Sequence, residues 1–195
     1  MKILCVTHRD WAKNIYFKLK QNKKKKQIYY FHFNKKGLTK KIKQINPNFI
    51  LFYGWSWIIK KNIYSKYNCL MLHPSPLPKF RGGSPLQNQI IRNINKSAVT
   101  IFKINEIIDG GDIIYQSELS LKGSLNEIFT RISKIGFSAT QKILNSKKIK
   151  QIKQNHSKAT YYKRRKPEES EITLKELKQS NLVYIYNKLR MLADP

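Results

Sequence analysis

His73 and Asp109 are the side chains whose neighbours best equip them to move a proton. His73 leaves the apolar run Cys69–Leu72 and enters Pro74-Ser75-Pro76-Leu77-Pro78, followed by Lys79-Phe80-Arg81-Gly82-Gly83. Three prolines fix φ and stiffen this loop, and the paired glycines let a ligand or another backbone come close. A histidine held at a strand end by a rigid loop suits general acid–base work or donation to an oxyanion. Asp109 lies in Ile107-Ile108-Asp109-Gly110-Gly111-Asp112-Ile113-Ile114, an acid on a tight turn between apolar segments. Each has a structural alternative: a histidine bonded to a carbonyl, and an Asp-Gly turn former. Asp112 reads as a cap or backbone brace, and His8, His32 and His156 as structural or exposed. A role for Asp109 requires that His73 be its neighbour in space.

The elements that must bring them together read as an α/β domain. Residues 2–7 form a short apolar strand, Asp10 to Gln21 a helix, and Gln27 to Phe33 a second strand. Leu38 to Ile45 is a basic helix ending before Pro47, and Phe49 to Tyr53 a third strand. Cys69 to Leu72 is a fourth strand, Ser84 to Asn93 a helix, and Ala98 to Ile104 and Ile113 to Leu121 two further strands. Ser124 and Glu127 then make an S-x-x-E capping box. Behind it Leu125, Ile128, Phe129, Ile132, Ile135, Ala139 and Ile143 repeat at helical spacing. This alternation implies a Rossmann-like, mostly parallel sheet with helices on both faces. The expected organisation is a domain over 1–150 and an extension over 151–195. The extension consists of a linker near Gln151 to Ser157, a basic segment, and a helix around Asn181 to Leu192.

Ligands in such sheets sit beyond the carboxyl ends of the strands. That puts Gly54 to Ile58, His73 to Gly83 and Ile108 to Asp112 in one crevice. No G-x-G-x-x-G follows the first strand and no G-x-x-x-x-G-K-[ST] is present, so bound NAD or a P-loop triphosphate is not supported. Cys5 and Cys69 both fall in strand-like runs and read as buried thiols, which excludes a disulfide scaffold. No Cys/His cluster has ligand spacing, so no metal is expected. No apolar run reaches the ~18 residues of a membrane span, and charges interrupt residues 1–20, so a cytoplasmic, non-membrane protein is expected.

The 39 Lys and Arg against 11 Asp and Glu give a net charge of +28, mostly lysine spread along the chain. Such charge serves phosphate contacts in nucleic-acid binders. No RNA-binding module signature accompanies it, so a solvated lysine coat is the favoured reading. A positive field also attracts small anions such as folate carboxylates or a nucleotide diphosphate.

HPSPLPKFRGGSP, followed about 25 residues later by IIDGGDII, resembles the formyltransferases that use N10-formyltetrahydrofolate. These include methionyl-tRNA, glycinamide ribonucleotide and sugar N-formyltransferases. The AVTIFKI strand between the motifs matches in position, and TYYKRRKPEESEI is similar to the segment after the catalytic domain in the tRNA and sugar enzymes. The likeness covers most of residues 49–195 and residues 1–48 in outline. It implies an Asn-x-His…Asp triad. His73 and Asp109 match the histidine and the aspartate, but the asparagine position is Met71. A thioether donates no hydrogen bond, and losing one oxyanion donor costs ~10²–10³ in rate. Asn68, Ser75 or a backbone N–H are the candidate replacements.

The resemblance further implies formyl transfer from N10-formyltetrahydrofolate to a primary amine, with no metal. His73 would stabilise the oxyanion, and Asp109 would orient the imidazole and hold it protonated. The pterin would lie against the backbone near Trp55, Ser56, Trp57 and Ile58, walled by Ile104 and Ile108. Core packing is the alternative for both tryptophans. Only ~30 residues follow TYYKRRK, too few for the tRNA enzymes' second β-barrel domain, and the MLADP ending reads as a truncation inside a family motif. Thr7-His8-Arg9-Asp10-Trp11 is not the phosphate loop of the ribonucleotide enzymes. The expected acceptor is therefore an amino sugar or sugar nucleotide, as in cell-surface glycan biosynthesis, with Arg9, Trp11 and Arg81 as substrate contacts. A homodimer is compatible with this reading. The alternatives are a tRNA formyltransferase fragment, with nucleic acid as partner, and a non-catalytic folate- or sugar-nucleotide-binding protein.

Overall fold

The computed structural model describes residues 1–192; Ala193, Asp194 and Pro195, the end of the MLADP motif, lie outside the described residues. The chain runs β1 (Lys2–Val6), α1 (Asp10–Gln21), β2 (Ile28–His32), α2 (Leu38–Ile45), β3 (Phe49–Tyr53), α3 (Lys61–Tyr64) and β4 (Asn68–His73). It continues through β5 (Arg81–Gly82), α4 (Pro85–Ile90), β6 (Lys96–Lys103), β7 (Ile113–Ser120) and α5 (Leu125–Asn145). The extension contributes β8 (Tyr161–Tyr162), α6 (Leu174–Gln179) and α7 (Leu182–Arg190).

Six strands form one sheet in the order β2-β1-β3-β4-β6-β7. The first four are mutually parallel. β6 runs antiparallel to β4, and β7 antiparallel to β6. The parallel strands are apolar on both faces, as burial on both sides requires. Ile3 and Cys5, Leu51 and Tyr53, and Leu70 and Leu72 pack with α1, α4 and α5. The alternate residues Leu4, Val6, Ile50, Phe52 and Cys69 pack with α2 and α3. Helices therefore cover both faces, as the alternating pattern implied. Burial pushes both free thiols up, Cys69 to about 12.

The chain leaves β1 for β2 on one side, then crosses back to β3 on the other, which opens a crevice at the carboxyl ends of β1 and β3. Tyr16 of α1 ties that helix to β3. Its wholly buried hydroxyl donates to the Leu51 carbonyl at 2.7 Å and accepts from the Tyr53 N–H at 2.9 Å. Helix α5 starts with the expected capping box, Ser124 and Glu127 each bonding the other's backbone N–H.

The extension departs most from expectation. Residues 151–157 are no free linker: Ile152 exchanges two backbone hydrogen bonds with Ile113, at 2.8 and 2.9 Å. Tyr161 and Tyr162 pair in parallel with Arg81 and Gly82. Helix α6 was not foreseen, although Thr173-Leu174-Lys175-Glu176 carries the same S/T-x-x-E signature as α5 and forms the same box. Among the described residues, no helix is long and apolar enough to cross a membrane.

Candidate active site

A cleft of about 1070 Å³ opens over the carboxyl ends of β1, β3 and β4. His73, Asp109, Met71, Trp55 and Ser56 line its inner part, and Arg9, Trp11, Phe129, Arg164 and Lys166 its outer wall. The sheet supplies the inner residues for a simple reason. Side chains alternate along a strand, so Met71 and His73, two apart on β4, project to the same face.

His73 and Asp109 meet. The histidine Nδ1 lies 3.6 Å from Asp109 Oδ2, and both side chains are nearly buried. His73 Nε2 sits 2.8 Å from the Phe80 carbonyl. A carbonyl only accepts, so Nε2 carries the hydrogen and Nδ1 is the nitrogen left facing the carboxylate. At 3.6 Å the pair interacts by charge rather than by a direct hydrogen bond. The neutral ring thus offers Nδ1 as a proton acceptor, and the carboxylate stabilises the imidazolium that results. In that charged form Nδ1 gains an N–H and becomes a donor.

Asp109 is held by the first motif. The Gly82 N–H donates to its Oδ2 at 2.8 Å. Its backbone adopts φ +50°, a left-handed conformation that a non-glycine residue rarely occupies and that clusters at functional sites. Gly82, at φ +96°, leaves no room for a Cβ beside the Tyr162 carbonyl. The glycine thus allows both the turn and the pairing with β8.

Other site residues fall out differently. Trp55 and Ser56 line the cleft, while Trp57 lies behind them against Trp55 (4.6 Å between rings) and His8 (4.7 Å). Ile58 is 90% exposed and off the cleft wall, because Ile59 takes the core position and its neighbour turns outward. Ile108 is 59% exposed on the outer side of its turn. Ile104 packs behind Met71 with Leu77, Phe102 and Ile113 rather than on the cleft surface. Trp11 stacks on Phe129 at 5.9 Å, and Arg9 reaches the cleft beside it. Arg81 does not reach it. Its side chain is fully buried, donating to the Tyr161 hydroxyl at 2.7 Å and to Gln154 Oε1 at 2.6 Å, so it fastens the extension rather than a substrate.

Met71 is half-buried in the cleft at the position expected for asparagine. Neither proposed side-chain replacement serves. Asn68 Nδ2 donates to the Asn48 carbonyl at 3.2 Å, and Ser75 Oγ to the Lys79 carbonyl at 2.9 Å. Among the described residues, no group of three or more His, Cys, Asp or Glu is placed to hold a metal ion.

Beyond Arg9, the sequence does not single out His8 or the wall residues Arg164 and Lys166. His8 lines the cleft with Nε2 3.2 Å from Ser56 Oγ. Burial first, then Arg9 and Arg164, hold its pKa below the ordinary value. Its place two residues past β1, at a strand carboxyl end, was the available signal. Arg164 and Lys166 come from the extension, and nothing local in their sequence shows that it folds back.

Residues 5–136 match the model of the formyl transferase family. The chain belongs to this family. It is 33% identical over 126 residues to a methionyl-tRNA formyltransferase of Ehrlichia ruminantium, covering 62% of this chain and 42% of that protein. It is 31% identical over 157 residues to the enzyme of that name from Caldicellulosiruptor saccharolyticus, covering 77% and 49%. The chain thus spans less than half the length of these relatives. Methionyl-tRNA formyltransferase from Clostridium thermocellum superposes with a TM-score of 0.88 at 42% identity, over 98% of this chain and 83% of that one. A 4-N formyltransferase from Francisella tularensis superposes with a TM-score of 0.76 over 100% and 88%, at 21% identity, a likeness of fold alone. Of the three positions the resemblance implies, His73 and Asp109 match and Met71 departs. The family-model match ends at residue 136, before the segment that supplies Gln154 and Arg164.

Proposed function

We propose that the chain transfers the formyl group of N10-formyltetrahydrofolate to a primary amine. The observation that carries this is the meeting of His73 and Asp109, from two separate motifs, inside a cleft at the carboxyl ends of the strands. The amine nitrogen attacks the formyl carbon, the bond from that carbon to N10 breaks, and the amine loses a proton. His73 Nδ1 takes that proton and returns it to N10 as tetrahydrofolate leaves, and Asp109 stabilises the charge the ring carries in between. The donor fits the residues present. Trp55 and Ser56 offer an aromatic face and a hydroxyl for a flat heterocycle, and Arg9, Arg164 and Lys166 complement carboxylates at the rim. Ile104 supports this wall from behind through Met71. Met71 supplies no hydrogen bond to the oxyanion, so that duty falls on the Nδ1–H that His73 gains with the amine proton.

For the acceptor, relatives more than 30% identical favour the aminoacyl end of a charged tRNA over an amino sugar. They are named methionyl-tRNA formyltransferases at 31–42% identity, whereas the sugar enzymes are alike in fold at 19–21%. The basic cleft wall suits a phosphate backbone. The test is to incubate the purified chain with N10-formyltetrahydrofolate and either methionyl-tRNA or a panel of nucleotide-linked amino sugars. Formyl-methionyl-tRNA is expected. Product with sugars alone would overturn the tRNA reading and leave the chemistry standing. Folate binding with no product from any amine would overturn the chemistry and leave a binding protein.

A further inference from the structure

The extension that reads as a linker reaches into the catalytic pair. Gln154 is only 5% exposed. Its Nε2 donates to two backbone carbonyls of the second motif, Asp109 O at 2.9 Å and Gly111 O at 2.7 Å. Its Oε1 accepts from Arg81 Nη2 of the first motif. One amide therefore spends both donors on the Asp109 turn and its acceptor on the loop that carries His73. Six residues further on, the Thr160 hydroxyl and carbonyl bond the backbone N–H groups of Phe80 and Arg81, at 2.9 and 2.8 Å. The Phe80 carbonyl is in turn the acceptor of His73 Nε2–H.

We propose that Gln154 is a positioning residue that sets the distance and orientation between His73 and Asp109. The physical case is the strain at Asp109. A left-handed backbone costs of order 1–3 kcal/mol and persists only where its surroundings fix it. The two carbonyls bound by Gln154 flank that turn. Relaxation of the turn would carry the carboxylate away from Nδ1, and the pair already stands at 3.6 Å, beyond direct hydrogen-bond distance. A glutamate at this place would keep an acceptor for Arg81 but bring acceptor oxygens against two carbonyls, so Gln154→Glu separates the two halves of the clamp.

The inference rests on the proposed reaction, and its test reads the site with and without turnover. The full chain and its Q154A, Q154E and H73A variants would be compared by thermal melting, by the ring 1H–15N resonances of His73, and by donor KM and kcat where wild type turns over. For Q154A and Q154E the expected result is a fall in kcat of about a hundredfold with little change in donor KM, and a displaced His73 resonance pattern in protein that remains folded. If Q154A melts below the assay temperature, Q154E decides by the same readings. Unchanged kcat and unmoved His73 resonances in the folded variant would overturn the proposal. A merely structural glutamine would lower Tm and leave the resonances of the folded fraction in place, which also overturns it. Wild-type protein with no turnover refutes the reaction instead, while the resonances still judge Gln154.

Discussion

The Gly82 N–H donates to Asp109 Oδ2 at 2.8 Å, so the glycine-rich end of the first motif holds the acid of the second. The two motifs are therefore one site, and their residues can be tested as a pair. His73→Ala and Asp109→Asn are each expected to lower turnover by about 10²–10⁴-fold and to leave the melting curve of a folded protein. The double variant should be little worse than the poorer single one, because the two act as a unit. Additive losses in steady-state rates would separate them.

Met71 projects into the cleft on the same face of β4 as His73. Met71→Asn adds an amide donor where the proposed reaction would develop its oxyanion. It is expected to raise kcat, by up to about 10²-fold, with donor KM nearly constant. A large loss instead would mean that the thioether fills space the donor needs, which a direct folate-binding titration would register as weakened affinity.

Gly111 has the Lys103 carbonyl against the place a Cβ would occupy. Lys103 is in the sheet, its N–H donating to the Asp112 carbonyl at 2.9 Å, so the backbone cannot yield cheaply. Gly111→Ala is expected to cost about 1–3 kcal/mol and several degrees of Tm. It should also depress activity, because the displaced turn is the one that presents Asp109. Normal Tm and normal rate together would show that the turn adapts.

Glu176 bonds the buried ammonium of Lys188 at 2.7 Å, and this first, then the Thr173 N–H, holds its carboxyl at about 2. The folded value lies below the ordinary 4.5, so folding releases protons in this range and the stabilisation is present above pH 4.5. It is lost as pH falls through about 2. Protection of the α6 and α7 amides, as exchange rates relative to their intrinsic values, should fall over that window. Glu176→Gln should flatten the dependence and raise exchange at neutral pH, since Lys188 is then left buried without its partner.

The sequence by itself determined the parts governed by short-range rules. The 3.6-residue period and the S-x-x-E box placed α1, α2 and α5, and apolar runs placed the strands of a two-sided sheet, because periodicity and caps are local. The proline-stiffened loop after His73 and the Asp-Gly-Gly turn likewise announced themselves. Only the tertiary structure decided that these two segments meet, that Arg81 turns inward while Arg164 turns toward the cleft, and that Ile58 and Ile108 face solvent. Those outcomes depend on which backbone each side chain finds opposite it, as Tyr162 lies opposite Gly82 and Ile152 opposite Ile113. A polar stretch such as 151–157 carries no hydrophobic period to report such a partner. Gln154 was invisible in sequence because an amide becomes a clamp only when two carbonyls and a guanidinium, distant along the chain, are folded to within hydrogen-bond reach.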